Sequence, residues 1–139
     1  MAIGERTSER IKIAIGSAFP RSKEERAELR GRDLATGMPK TVLISSEELR
    51  SAVDEQIRSI IDATIECISE SPPDHVQDVL LNGITLTGGG GMLQGLDMLL
   101  SQAAEVPVHV TDQPLESVVL GAGKCLEAFE SAKSVLLHT

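Results

Sequence analysis

Residues 83–100 read GITLTGGGGMLQGLDMLL, and this run carries a strand, a glycine turn and a helix face in sequence. Asn82-Gly83 is a turn signal, and Ile84-Thr85-Leu86-Thr87 has the β-branched content of a strand. Four glycines follow, Gly88 to Gly91. Met92, Leu93, Leu96, Leu99, Leu100 and Ala103 then recur at the spacing of a buried helical face. Downstream, Pro107 to Val110 predicts another strand, and Pro114 is placed to open a last helix through Phe129. The resulting β-α-β-α order, with short connections, favours an α/β layer with parallel strands over a helical bundle.

Upstream, Ser45 and Glu48 stand at capping-box spacing. Leu49, Val53, Ile57, Ile60, Ile61, Ile65 and Ile68 lie along one broad face of a long helix that ends at Ser71-Pro72-Pro73, and this stripe is expected to be core. Before it, Ala27 to Asp33, a loop through Gly37, and Thr41 to Ser45 predict a hairpin. A first helix, capped by Thr7 and stopped by Pro20, places Ile11, Ala14, Ile15 and Ala18 at helical spacing. Residues 21–26, RSKEER, read as a solvated connection. A short segment around residues 75–80 precedes the strand, and residues 131–139 show no clear pattern. The expected organisation is a small helix, hairpin and long-helix subdomain over residues 1–73, a β-α-β-α part over 74–130 and a tail over 131–139.

The 139 residues are 41% hydrophobic, which suits a single globular unit, yet only 1% aromatic. The core must therefore be aliphatic, and stacking platforms for single-stranded nucleic acid are nearly absent. A net charge of −8 argues against phosphate-backbone binding, which needs clustered Lys and Arg. Nucleic acid is not an expected partner. No apolar run approaches the roughly 20 residues that span a bilayer, and Glu5, Arg6, Glu9 and Arg10 leave no signal-peptide segment, so a cytoplasmic location is expected. Cys67 and Cys125 form no C-x-x-C pair and read as buried reduced thiols. His75, His109 and His138 are scattered, with no metal-ligand spacing. No G-x-S-x-G elbow supports Ser-His-Asp catalysis.

The glycine run is where chemistry has room. A strand, a Cβ-free turn and a helix start let backbone N–H groups approach a nucleotide, although a tight turn packed on its own fold explains the same residues equally well. No Lys-Ser or Lys-Thr follows, as a P-loop requires, and G-x-G-x-x-G fails at Leu93 or Gln94. Glu9 and Lys12 share a helical face and offer an acceptor and a cationic donor to sugar hydroxyls, but surface ion pairing accounts for the spacing more simply. Gly121-Ala122-Gly123 falls inside the last helix, where close helix packing is the favoured explanation over ligand contact.

Four segments together resemble a known family. IGERTSERIKIAIGSAFP at 3–20, LRGRDLATGMPKTVLISSEELRSAV at 29–53, GITLTGGGGMLQGLDMLL at 83–100 and PVHVTDQPLESVVLGAGKCLE at 107–127 are similar, in this order, to the C-terminal part of the MreB/Mbl bacterial actins. The resemblance implies an α/β fold, part of the second, ribonuclease-H-like lobe of an actin-like ATPase. It also implies that Glu9, Arg10, Ile11 and Lys12 contact the ribose and base side of ATP, with Gly88, Gly89, Gly90 and Gly91 forming the adenosine-binding turn. The family usually carries GGGA there, and Gly91 replaces the alanine.

The same resemblance places the phosphate loops, the carboxylate that coordinates Mg and the water-positioning residue upstream of the match. Phosphoryl transfer depends on charge stabilisation around the γ-phosphate, so this chain alone is expected not to hydrolyse ATP, and no metal ligand is assigned to it. By resemblance, full-length members polymerise with ATP into homopolymer filaments that guide the cell-wall elongation machinery and associate with the membrane from the cytoplasm. The family's membrane-binding elements lie outside the match, so no direct membrane contact is expected from these residues. Two alternatives stand beside this reading: a fragment of a sugar-kinase-type enzyme of the same superfamily, and a non-functional or regulatory relic.

Overall fold

The structure is a computed structural model in which residues 1–129 and Lys133 are described. Apart from Lys133, the tail expected over 131–139 lies outside the described residues.

Helix α1 spans Glu5–Ile15, and its Ile11 and Ile15 are buried. It begins two residues before Thr7, which does not cap it. Gly4 is the N-cap, in extended conformation, and its carbonyl accepts the Thr7 and Ser8 amides at 3.0 Å each, so Thr7 lies inside the first turn. The hairpin expected from sequence is present as β1 (Arg26–Arg32) and β2 (Pro39–Ser45), antiparallel with Leu29 opposite Val42 and Ala27 opposite Ile44. These residues face α1 and complete a core with Ile11, Ile15, Leu29 and Leu49. The Asp33 carboxylate fixes the hairpin loop by accepting the Ala35 amide at 2.9 Å and pairing with Lys40 at 3.1 Å, which together hold its pKa below the ordinary value.

Helix α2 spans Ser46–Glu70 and opens on the capping box read from the sequence. The Ser45 hydroxyl accepts the Glu48 amide at 3.2 Å, while the Glu48 carboxylate accepts the Ser45 amide at 2.9 Å. Its apolar stripe is only partly core. Ile57 is buried and Val53 and Ile61 pack beside it, but Ile60 and Ile65 are 50% and 38% exposed. The stripe outruns its cover, because the helix over Leu96–Ala104 and the hairpin reach only part of a 25-residue helix.

Residues 75–80 are helical. They lie within α3 (Pro73–Asn82), with Pro73 at its start, Asp74 in its first turn and Gly83 as C-cap at φ 77°. Strand β3 (Ile84–Leu86) pairs in parallel with β4 (Val108–Val110), Leu86 opposite Val110, as the β-α-β order requires. The helix expected from Met92 onward begins only at Leu96, as α5 (Leu96–Ala104), while the glycines read as a turn form a short helix of their own, α4 (Gly88–Gly91); the two are separated by a turn in which Gly95 takes φ 81°. A Cβ on Gly95 would lie 2.5 Å from Phe19 Cβ, so only glycine fits both the backbone angle and the approach. The last helix, α6 (Ser117–Glu127), starts three residues beyond Pro114, which sits in the preceding turn. Ala18, Ile57, Leu96 and Leu100 form the second core, with Leu86 and Val108 of the sheet packed against it. Cys67 and Cys125 are both exposed free thiols rather than buried ones, because each occupies an outer position of its helix.

Candidate functional site

The glycine turn sits at the carboxyl end of β3, the end at which open α/β sheets bind ligands. Three contacts hold it. The Gly88 amide donates to the Pro114 carbonyl at 2.8 Å, and the Thr87 hydroxyl donates to the same oxygen at 3.0 Å. The Leu93 amide donates to Gly90 at 3.1 Å and closes the short helix. Pro114 therefore earns its place as an acceptor that ties the β4–α6 connection to the turn.

The four glycines do different things. Gly88 takes φ 73°, a left-handed angle at which a side chain is strained, and has open space where a Cβ would be. Gly90 also faces open space, and Gly89 has only a Leu115 methyl 3.6 Å away. Gly91 is buried, and a Cβ there would meet Leu86 Cβ at 3.2 Å. So Gly88, Gly89 and Gly90 leave room for a ligand, whereas Gly91 is packed on the strand behind it.

Helix α1 divides in the same way. Glu9, Arg10 and Lys12 are exposed, and Ile11 is 6% exposed in the hairpin core. The Ile11 side chain orients the helix and cannot meet a ligand.

The two pieces are joined just beyond their ends. Ser17 and Gln94 form a parallel bridge in which the Ala18 amide donates to the Gln94 carbonyl at 2.8 Å. The Ser17 hydroxyl, in a 2% exposed residue, donates to the Phe19 carbonyl at 2.5 Å and lies 3.3 Å from the Gln94 carbonyl. Arg50 adds a bond from its guanidinium to the Phe19 carbonyl at 3.2 Å while pairing with Glu24 at 2.6 Å, and this pairing lowers the Glu24 pKa. Of these positioning residues, Ser17 drew no comment from sequence, and Thr87, Gln94 and Pro114 were read there only as a strand end, a misfit to a glycine motif and a helix start. Only the Gly95 at the foot of the turn, inside a leucine-rich run, signals the close approach there.

Among the described residues no cluster of three or more His, Cys, Asp and Glu groups could hold a metal ion, and no helix is long and apolar enough to cross a membrane.

The MreB/Mbl protein family model matches residues 1–134. The cell shape-determining protein Mbl of Bacillus cereus is 42% identical over 127 residues, which is 91% of this chain and 38% of the relative. The cell shape-determining protein MreB of Escherichia coli K12 is 41% identical over 128 residues, covering 92% and 37%. Crystal structures of Spiroplasma citri MreB5 share the fold at a TM-score of 0.89. The ADP-bound form is 30% identical and covers 96% of this chain and 41% of that one; the AMPPNP-bound form is 31% identical and covers 99% and 41%. The chain thus spans well under half the length of the relatives it matches.

Proposed function

The chain belongs to the MreB/Mbl family, and on that premise we propose that it is the adenosine-side portion of an ATP-binding, actin-like protein that determines cell shape. The observation that carries the reading is the glycine turn: open over Gly88 and Gly90, placed at the carboxyl end of a parallel strand pair, and tied through Gln94 to the helix that exposes Glu9 and Lys12. The nucleotide-bound MreB5 relatives support it.

In this reading the base and ribose lie between the turn and α1. Lys12 donates and Glu9 accepts at the sugar hydroxyls, Arg10 adds a cationic edge, and Ile11 and Gly91 hold the two walls by packing. Gly88 to Gly90 admit the flat base to the backbone. The residues that stabilise phosphate charge and hold Mg belong to portions of the family that this chain does not match, so hydrolysis is not assigned to it. Filament self-association, guidance of cell-wall elongation and membrane association at the cytoplasmic face are proposed for the complete family architecture. Residues 1–73 then serve as its small subdomain and 74–130 as its adenosine side. The family match displaces the sugar-kinase alternative.

The test is a nuclear magnetic resonance titration of the chain with adenosine and with ATP. Both should shift the amides of Lys12, Gly89 and Gly90 alike, since the contacts are to the nucleoside. Gly90→Val should weaken binding at least tenfold with the fold intact, because its Cβ enters open space. A regulatory or relic role predicts no shifts at these amides. Steady ATP hydrolysis by this chain, abolished by changing Glu9 or Lys12, would overturn the assignment of an incomplete site.

A further inference from the structure

At the Ser17–Gln94 bridge the surface opens into a hollow of about 460 Å³, within the size range of small-ligand sites. None of the residues assigned to adenosine lines it, so it is separate from the glycine turn and from the exposed face of α1. Phe19, Pro20, Gly95 and Met98 supply its apolar part, and Arg21, Lys23 and Glu25 its charged part.

Residues 21–26 read from the sequence as a solvated connection, yet the stretch that carries these charges is fastened to α2. Ser46, fully buried, accepts the Glu25 amide at 2.9 Å and donates to the Glu25 carbonyl at 3.1 Å, while the Ser46 amide donates to the same carbonyl at 2.9 Å. Arg50 donates to the Phe19 carbonyl at 3.2 Å and to the Glu24 carboxylate at 2.6 Å. Side chains on a strap held in this way meet a ligand already positioned, so less ordering entropy opposes binding.

Arg21 is the group that the fold leaves incomplete. Its side chain is 21% exposed, and its Nη1 is buried and makes no hydrogen bond, although it stands 3.1 Å from Glu25 Oε2. A buried donor without an acceptor is destabilising even beside an opposite charge. The guanidinium is a planar fork that matches a carboxylate bidentately. Lys23 is exposed and has no ion pair among the described residues. Arg21 and Lys23 against Glu25 leave the hollow with a net single positive charge. That balance suits a monoanion rather than a phosphoryl group, which carries about −1.5 to −2 at pH 7.

The geometry points to a binding site for a monocarboxylate carried on an apolar body. The carboxylate lies on the Arg21 fork with Lys23 beside it, and the body lies on Phe19 and Met98. Glu25 holds the fork in the empty site, and the incoming carboxylate replaces it and gives Nη1 its acceptor. Met98 is 49% exposed, and its unbranched, flexible side chain adapts to bodies of different outline. A free small acid and the carboxyl terminus of a polypeptide ending in an apolar residue share this chemistry and differ in length. The site depends on no nucleotide.

N-acetylleucine is the probe, titrated into the full chain without nucleotide and followed by nuclear magnetic resonance. The amides of Arg21, Lys23 and Gly95 should shift with a dissociation constant in the millimolar range, as befits so small a ligand, and those of Gly89 and Gly90 should not. N-acetylleucinamide, the same body without the charge, and inorganic phosphate should each bind about tenfold more weakly or worse. Arg21→Gln should weaken N-acetylleucine by about tenfold and Lys23→Gln by about threefold, with circular dichroism unchanged. Glu25→Gln removes the competing carboxylate and should tighten binding, a gain that a purely structural Arg21–Glu25 pair does not give. Acetyl-Ala-Ala-Leu identifies the source: tighter binding than N-acetylleucine assigns the site to a polypeptide terminus, and equal binding assigns it to a free acid. Absence of shifts at Arg21 and Gly95, equal affinity for N-acetylleucine and its amide, or tighter binding of phosphate overturns the site. Should Arg21→Gln lose its fold, Lys23→Gln and Glu25→Gln carry the test, and unchanged affinity in both is equally fatal.

Discussion

Replacing Gly95 by alanine should separate the two halves of the proposed adenosine site. Gly95 has φ 81°, and a left-handed angle costs a non-glycine residue about 1–2 kcal/mol. The new Cβ would sit 2.5 Å from Phe19 Cβ and 3.0 Å from the Phe19 amide nitrogen, whereas carbon atoms settle at about 3.5–4.0 Å. Phe19 must therefore retreat by about 1 Å, which strains or breaks the Ala18–Gln94 hydrogen bond and forfeits about 1 kcal/mol more. The total, about 2–3 kcal/mol, is a large share of the roughly 5–15 kcal/mol by which domains are stable. Urea unfolding should show a midpoint lower by about 1–2 M at unchanged slope. Gly90→Ala is the matched comparison. It lies in a helical turn with free space, so it should be neutral or stabilise by up to about 1 kcal/mol. If Gly95→Ala fell within about 0.5 kcal/mol of the parent, the close approach of Phe19 to the turn would be wrong.

Other changes test the remaining links. Ser45→Ala removes the cap of α2 and should lower stability by about 1 kcal/mol in the same unfolding assay. The Ser45 amide and hydroxyl hold the Glu48 carboxyl below its ordinary pKa, so the capping contribution is complete above about pH 4.5 and is lost as pH falls through the lower folded value. Glu48→Gln should flatten that acid limb in a helicity against pH profile. Leu100→Ala, at a position 2% exposed, should cost about 3–5 kcal/mol in urea unfolding. On α1, Ile11→Ala should cost about 2–4 kcal/mol, while its neighbour Lys12→Ala should stay within about 0.5 kcal/mol and lower nucleoside affinity instead.

What the sequence disclosed follows from how local each feature is. The Ser45–Glu48 box, the hairpin and the parallel order of β3 and β4 depend on neighbours in sequence or on simple alternation, and all were legible. Features that depend on distant contacts were not. The periodicity of Met92 to Ala103 runs unbroken through Gly95, because the reason for the break is Phe19, far away in the chain. The apolar stripe of α2 gave no hint that Ile60 and Ile65 lack cover, since periodicity reports a face but not what packs on it. The cysteines were misjudged for the same reason. α3 could have been found: Pro73 at its first position and Asp74 beside it are start signals that the short segment obscured. Within the candidate site, the sequence pattern could not tell Gly91, packed on Leu86, from Gly90, which faces open space, or Ile11 from its exposed neighbours.

Ile11 and Ile15 belong to the hairpin core, while Ala18, seven positions after Ile11, belongs to the sheet core. The isoleucines fasten α1 to the hairpin, and beyond the extended Gly16 the Ser17–Gln94 bridge fastens the same stretch to the glycine turn. The eight residues from Ile11 to Ala18 thus stitch two separate cores together, so an inserted residue within them should loosen both.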